Sequence, residues 1–463
     1  MIRLYDTAQG EVRDLSLRSP GRVSMYVCGP TVDNLPHLGH GRFTLVWDVA
    51  RRWFTFQGLL VHYVSNITDI DDKIIARASL ESRSEGDVVE QFEGEWWDAM
   101  DRLGVARPDD APHATSYIDE MIELVASFLE RDVAYQTSDG VYFDVSSVPD
   151  YGLLAGQALE SLRVGARVEG NDEKRSPLDF ALWKNAKPGE PHWPAPFGEG
   201  RPGWHTECVV MSLGLLGEGF DVHCGGLDLK FPHHENERAQ AEAAHKGFAR
   251  HWAHNGLVMV GGEKMSKSLG NFTSLTDLLK KTDPRAFRLL VLRSRYRSPL
   301  EVTLATIADA ERALERLDAL ARRFNLDVLG GDTFVVATSH SWEEESLELY
   351  ERVVALMNDD LNTPLAVAEL FDALSSANAS ADEGHEAAAR RLAGAVNVLF
   401  GAMGLSLLAG SHVVDDVTDA LVHERDEARL SKNWAEADRL RDELVQRGWI
   451  VEDGASGTLI RRP

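Results

Sequence analysis

The chain has 463 residues, of which 44% are hydrophobic and 26% charged, the profile of a soluble globular protein with roughly three domains. A formal net charge of −26 argues against a generic nucleic-acid coat, and three cysteines are too few for a disulfide framework. Cys28, Cys208 and Cys224 are therefore buried thiols, catalytic groups or metal ligands. No apolar run approaches the ~20 residues that span a bilayer, and the first residues lack an apolar signal core, so a cytoplasmic address is expected.

In chain order, Val23 to Cys28 is a short run of strand formers closed by Gly29-Pro30. A helix is predicted from about Gly41 to Phe56, with Phe43, Val46, Trp47, Ala50 and Phe54 on one side. Leu59 to Val64 then reads as a buried strand. Strand, turn, helix and strand make a βαβ unit, which predicts a parallel sheet with ligands at its C-terminal edge. Between Pro108 and Pro202 the composition loosens, and the Pro/Gly-rich KPGEPHWPAPFGEGRPGW (187–204) is expected to be irregular. An α/β pattern resumes at Trp204 and runs to about Val260.

The predicted architecture is thus α/β: a Rossmann-like parallel-sheet catalytic domain split over 1–107 and 203–260 around an insertion at 108–202. Residues 261–302 would form a loop and a connecting helical region. Long amphipathic patterns such as ATIADAERALERLDALARRF predict a helical bundle over 303–410, broken by a loop at Gly330-Gly331. A break near Gly410-Ser411 isolates 411–463 as a small α/β unit. One helix is expected there, from about Val417 to Arg447, before the strand pair in WIVEDGASGTLIRR.

Two short motifs carry chemistry. PHLGH (36–40) follows the first strand and opens a helix. Its two histidines and glycine allow close approach of a phosphate, favoured by the helix dipole and free N–H groups, although two ordinary surface histidines would look the same. KMSKS (264–268), after Gly261-Gly262, puts two lysines on a glycine-flanked loop, a cationic clamp for a triphosphate and departing pyrophosphate. Between Lys264 and Leu300 nine Lys/Arg face two Asp, a local charge of +7 that reads either as a solvated helix face or as a phosphate surface.

HIGH-like and KMSKS signatures in this order resemble those of class I aminoacyl-tRNA synthetases. YVCGPTV (26–32), NITDIDDKII (66–75), GWHTEC (203–208) and FPHHENE (231–237) narrow the resemblance to the cysteinyl-tRNA synthetase family, and KNWAEADRLRDEL carries it toward the C-terminus. The residues themselves support a metal centre. A helix would put His233 and Glu237 on one face, leaving His234 and Glu235 to face elsewhere. With Cys28 and Cys208 they make a Cys2HisGlu set suited to Zn2+. The plainer alternatives are buried apolar thiols and a surface His/Glu pair.

What the resemblance implies is a two-step ATP-dependent ligation of L-cysteine to tRNA(Cys), with one zinc ion per chain that binds the substrate thiol. His37, Gly39 and His40 would hold the nucleotide, Lys264 and Lys267 would neutralise the MgATP triphosphate, and Thr68, Trp204 and His223 would line the amino-acid pocket with Asp228 nearby. The arginine-rich stretch after KMSKS would steer the acceptor end of the RNA. Arg429, Asp438 and Asp453 match positions that contact the anticodon region. Cys224 is assigned a structural role, and VDNLP (32–36) and Leu227 depart from the family pattern. A monomer is expected. The rivals are a ligase joining cysteine to an amino-sugar and a non-catalytic RNA-binding paralogue.

Overall fold

A computed structural model describes residues 2–156, 173–260, 263–264, 274–330, 333–409, 416–454 and 457–461. Its centre is a four-stranded, all-parallel sheet of β1 (Arg22–Val27), β2 (Leu60–Ser65), β3 (Val222–Gly226) and β4 (Trp252–Asn255), in the order β4-β3-β1-β2. The chain runs from β1 to β2 on one side and later adds β3 and β4 on the other. The crevice beyond the C-terminal ends of β1 and β3 is therefore a topological switch point, where such sheets bind ligands.

Helix α1 (Leu38–Phe56) connects β1 to β2 and starts three residues earlier than its apolar pattern suggested. The signal overlooked was the cap. The His37 ring accepts from the His40 backbone N–H at 3.1 Å, while the His37 N–H donates to the His40 ring at 3.3 Å, so two histidines perform a reciprocal capping box. The buried residues of α1 include Trp47, Trp53 and Phe54, which pack into the main core between sheet and helices.

The insertion is more ordered than its composition implied. Strands Ala134–Thr137, Gly140–Phe143, Phe180–Asn185 and Gly200–Pro202 form an antiparallel sheet in sequence order, with their own core of Val125, Phe128, Phe143, Leu182 and Trp183. Within 187–204 the last of these strands, and a bridge from Trp193 to Gly200, are the ordered exceptions to the irregular backbone expected there.

Four helices form the bundle: Leu304–Phe324, Glu345–Met357, Thr363–Asp382 and Glu386–Ala402. The alanine-rich region around Asp382 to Arg391 is two helices rather than one pattern, because the chain turns at Gly384 with φ +87°. In the terminal unit the predicted single helix is also two, Asp416–Leu430 and Trp434–Gln446. Lys432 takes a left-handed φ of 59°, and the Asn433 side chain caps the second helix through the Glu436 N–H. The antiparallel strands Ile450–Gly454 and Gly457–Arg461 follow, as expected. Among the described residues no helix is long and apolar enough to cross a membrane.

A buried ion network joins these parts. Asp48 on α1 accepts from Arg52 at 2.8 Å and from Arg288 at 2.7 Å, and its other oxygen accepts from the Ala106 N–H at 3.0 Å. The remaining guanidinium N–H groups donate to the carbonyls of Leu103, Gly104, Thr333 and Met403. Arg288 lies on the helix Pro284–Leu292, just after the KMSKS loop, and Met403 ends the bundle. This pairing revises the picture of a phosphate-facing arginine stretch. Arg285 pairs with Asp283 and Asp318, Arg288 with Asp48, Arg293 with Asp309 and Arg297 with Asp360. Lys280, Lys281 and Arg295 remain exposed.

Candidate active site and metal centre

The β1 strand delivers Cys28 just past its last residue. Gly29 follows because nothing larger fits: a Cβ there would lie 1.7 Å from the carbonyl oxygen of Asn66. Cys208 comes from helix α2 (Trp204–Leu216), which covers the same end of the sheet. His233 and Glu237 arrive on one continuous helical path, four residues apart as expected, though its first turn is irregular. Lys230–His234 is a wide helical turn interrupted by Phe231, whose φ of −142° and ψ of 133° are extended, and the regular helix α3 spans Glu235–Ala243. His233 thus lies in the wide turn that runs directly into α3, one turn before Glu237, and its Nε2 is 3.0 Å from Glu237 Oε1. As anticipated, Glu235 points away, to Arg238 at 3.1 Å; His234 does not, because while its Nδ1 lies 2.8 Å from His254 Nε2, it also offers a ring nitrogen within 4.8 Å of donor atoms of Cys28, His223 and Glu237.

The donor atoms of Cys28, Cys208, His233 and Glu237 all lie within 4.8 Å of one another, and all four residues are buried. Their spacing can be compared with a zinc tetrahedron. With bonds of about 2.3 Å to sulfur and 2.0 Å to nitrogen or oxygen, tetrahedral angles require separations of about 3.8 Å for S–S, 3.5 Å for S–O and 3.3 Å for N–O. The corresponding distances are 3.7 Å for Cys28–Cys208, 3.5 Å for Cys28–Glu237 and 3.0 Å for His233–Glu237. The donor set fits the ion.

Electrostatics agree. The Cys28 S–H donates to Cys208, which brings the Cys208 thiol down to about 6 against the effect of burial. Burial, with that same bond, pushes Cys28 well up. Burial opposes a charge on His233, but Glu237 and Cys208 raise it to about 10. Glu237 is held well below the usual carboxylate range despite its burial, by His223 and His233. The cluster thus keeps two protons, on Cys28 and His233, in the positions where a divalent cation would replace them.

A second layer holds the ligands. His223 Nε2 lies 2.7 Å from Glu237 Oε2, and His205 Nδ1 lies 2.8 Å from His233 Nδ1. Burial keeps His205 neutral by lowering its pKa well below the ordinary histidine value. It can accept the Nδ1 proton of His233 and leave Nε2 for a metal. The Trp204 ring stacks on His233 with centroids 4.0 Å apart.

Beside this cluster opens a cavity of about 500 Å3 lined by Cys28, Trp204 and Asp228 at one part and by His37, Gly39 and His40 at another. It joins the metal-type cluster to the capped start of α1. Thr68 and His223 are not on its wall. Thr68, 1% exposed, donates to Glu207 at 2.8 Å, and His223 is fully buried behind Glu237. Lys73, exposed on the helix Asp72–Glu81, lines the cavity and was passed over, although it lies inside NITDIDDKII. Its acidic neighbours are occupied: Asp71 caps the helix through the Lys73 N–H, and Asp72 binds Lys184 and Arg201 of the insertion. Glu207 and Asn66, equally unsuspected, are buried beside Cys208.

Lys264 and Ser274, the described residues on either side of 265–273, both adjoin segments next to the cavity wall. The backbone of Lys264 pairs with Met259, while Ser274 bridges His37 and the Leu275 N–H donates to Pro36. Lys267 lies outside the described residues. Cys224 is fully buried on β3, with its thiol pushed well up by burial, and its carbonyl accepts the Cys28 N–H. In the terminal unit Arg429 is half-buried, 3.9 Å from Asp426, Asp438 is exposed, and the Trp434 ring is 61% exposed. Asp453 lies in the strand Ile450–Gly454.

Three family descriptions match consecutive parts of the chain: the tRNA synthetases class I (C) catalytic domain over 15–312, the DALR domain over 352–408 and the cysteinyl-tRNA ligase anticodon binding domain over 413–461. Curated relatives named cysteine–tRNA ligase match from end to end. That of Alkalilimnicola ehrlichii is 46% identical and that of Methylobacillus flagellatus 44% identical, each over 100% of both chains. The fold is also that of more distant synthetases. A methionyl-tRNA synthetase of Mycobacterium tuberculosis, in complex with methionyl-adenylate, superposes with TM-score 0.61 at 15% identity, covering 82% of this chain and 89% of that one. A putative arginyl-tRNA synthetase of Campylobacter jejuni gives 0.54 at 12%, covering 84% and 93%. With signature motifs, metal-type cluster and end-to-end similarity in agreement, the chain belongs to the cysteine–tRNA ligase family of class I aminoacyl-tRNA synthetases.

Proposed function

We propose that the protein joins L-cysteine to tRNA(Cys) in two steps, with one Zn2+ held by Cys28, Cys208, His233 and Glu237. The observation that carries this reading is the tetrahedral donor spacing at one end of a cavity whose other part is the PHLGH helix start. Bound there, zinc would offer a coordination position to the substrate thiolate, a bond that a serine hydroxyl makes poorly. Such a bonded criterion can discriminate by roughly 10^4-fold or more without proofreading.

In the first step the cysteine carboxylate oxygen attacks the α-phosphorus of MgATP, and pyrophosphate leaves with the electrons of the broken P–O bond. Gly39 allows the nucleotide close to the α1 backbone, and His37 and His40 line the cavity beside it. Lys264 and Lys267 balance the charge that builds on the departing pyrophosphate. Trp204, stacked on His233, walls the amino-acid end, and Asp228 lies on the same cavity. In the second step a terminal ribose hydroxyl of the tRNA attacks the mixed anhydride and AMP leaves. No protein nucleophile is required, so catalysis is positioning plus electrostatics. Residues 303–410 and 411–463 would carry the RNA, with Arg429, Asp438 and Asp453 at the anticodon and exposed Trp434 as a stacking surface for a base. The working form is a cytoplasmic monomer.

The test is metal analysis combined with ATP–pyrophosphate exchange. One zinc per chain is expected, with exchange that depends on cysteine and stays at background with serine. Metal-free protein with full activity, or equal exchange with serine, would overturn the reading.

A further inference from the structure

Between the bundle helices Glu345–Met357 and Thr363–Asp382 the chain makes a short loop, NDDLN (358–362). Asp360 and Leu361 there take left-handed φ values of 61° and 46° in succession, although neither is glycine. Such residues cost free energy and persist only where their surroundings hold them. Asp360 is 7% exposed, and those surroundings converge on its carboxylate. Oδ1 accepts the Tyr5 N–H at 2.9 Å and the Tyr296 hydroxyl at 2.8 Å, while Oδ2 accepts the Arg297 guanidinium at 2.9 and 2.6 Å. The Asp360 N–H donates to the Arg3 carbonyl, and the Arg3 N–H to that of Asn358. The N-terminal strand Arg3–Asp6, the bundle loop and residues 296–297 are thus tied together at one side chain.

The turn Tyr296–Ser298 meets the cavity on its other side. Gly256 and Leu257 line that cavity. The Gly256 N–H donates to the Tyr296 carbonyl at 2.8 Å, and a Cβ on Gly256 would stand 2.4 Å from the Ser298 carbonyl oxygen. Arg42, just after His40 on α1, donates to the carbonyls of Leu257 at 2.7 Å, Tyr296 at 3.1 Å and Ser298. The turn therefore has two faces: its main chain is bonded to the cavity wall, and its side chains are bonded to the bundle. The Asp48 network holds the bundle at Met403. A body held at one place can pivot about it, and Asp360 supplies the second hold.

We infer that Asp360 is a positioning residue for the second step. Through Tyr296 and Arg297 it sets the bundle, and the RNA the bundle would carry, in register with the cavity that holds the adenylate. Attack on the mixed anhydride needs the ribose hydroxyl about 3–3.5 Å from the carbonyl carbon, and a misplacement of about 1 Å can cost about 100-fold in rate. Activation needs only the cavity, whose wall is fixed on this side by main-chain carbonyls that no change at Asp360 removes. This inference rests on the two-step ligation proposed above.

The test measures the two steps separately in the full-length, zinc-loaded protein. One assay is cysteine-dependent pyrophosphate exchange. The other is single-turnover transfer from preformed cysteinyl-adenylate to a saturating tRNA(Cys) transcript. For Asp360→Asn, exchange and the KM for ATP are expected to stay within about threefold of wild type, while transfer slows about tenfold to 100-fold. Tyr296→Phe removes one bond and leaves the carboxylate paired with Arg297, so it should show a smaller loss in the same step. It also decides the matter if Asp360→Asn does not fold. Equal loss in both steps, unchanged transfer, or a loss confined to the KM for tRNA would overturn the proposal. Wild-type protein that forms the adenylate but transfers nothing to the transcript would instead refute the ligation reading itself.

Discussion

Two buried polar clusters of this molecule look alike by composition and behave oppositely. Around Asp48, one carboxylate and two guanidiniums are fully buried, yet both carboxylate oxygens are bonded and the remaining N–H groups reach backbone carbonyls. Even the backbone makes room: at Gly404, with φ +76°, a Cβ would stand 2.4 Å from the Arg288 guanidinium. Around Cys28, two thiols and a carboxylate converge within 3.7 Å, an arrangement the protein's own atoms balance only by retaining two protons. The first cluster is closed and structural. The second has the donor types and spacing that could hold a metal ion. Burial of charge alone therefore does not mark a functional site; charge that the fold cannot balance does.

The strongest challenge to this contrast is Cys208→Ser. A hydroxyl binds zinc poorly, so metal content should fall and cysteine-dependent pyrophosphate exchange should drop on the order of 10^4-fold. Retention of both would place Cys208 among ordinary buried thiols.

Asp48→Asn should do the converse. It leaves two buried guanidiniums without a counter-charge and should cost about 3–5 kcal/mol in urea denaturation, with zinc content unchanged. The pH dependence has a definite sign. Arg288 and Arg52 outweigh burial and hold the Asp48 carboxyl below its usual range. Its contribution is complete above the unfolded value of about 3.9 and is lost as pH falls through the lower folded value. The gap between wild type and variant should therefore close below about pH 4. A gap that persisted in strong acid would show that Asp48 acts by packing.

The smallest effect is expected at Arg293, whose 2.7 Å pair with Asp309 is 39% and 51% exposed. Arg293→Ala should change stability by no more than about 1 kcal/mol, less at high salt. A larger loss would mean that the exposed arginines of this stretch do more than decorate its surface.

Much of the site could be read from the sequence because its ligands sit in short, chemically unusual strings. Cys28, Cys208, His233 and Glu237 are brought together by the fold, and PHLGH opens a helix after β1. His233 and Glu237 meet at the four-residue helical spacing read from the sequence; what the spacing did not show is the wide turn that carries His233 into α3 and the extended Phe231 before it. The order hidden in 108–202 was illegible for a different reason. Its strands are of only three to six residues, and their pairing across long gaps leaves little periodicity in any one window. The split of the terminal helix at Lys432 rests on one left-handed residue that is not glycine, which no pattern announces.

By itself, the sequence determined which chemistry is present: thiols, imidazole and carboxylate in recurring company, a glycine between two histidines, two lysines on a loop. Residue type and near-neighbour spacing are local properties, and local properties survive in a string of letters. Only the tertiary structure decided which buried charges are satisfied. Asp48 and Glu237 are both acidic residues of helices, and what separates them is whether packing adds to their near neighbours the distant guanidinium of Arg288 or the distant thiol of Cys28. That choice is made by packing across the sheet, where the free energy of a charge depends on every partner within a few ångströms.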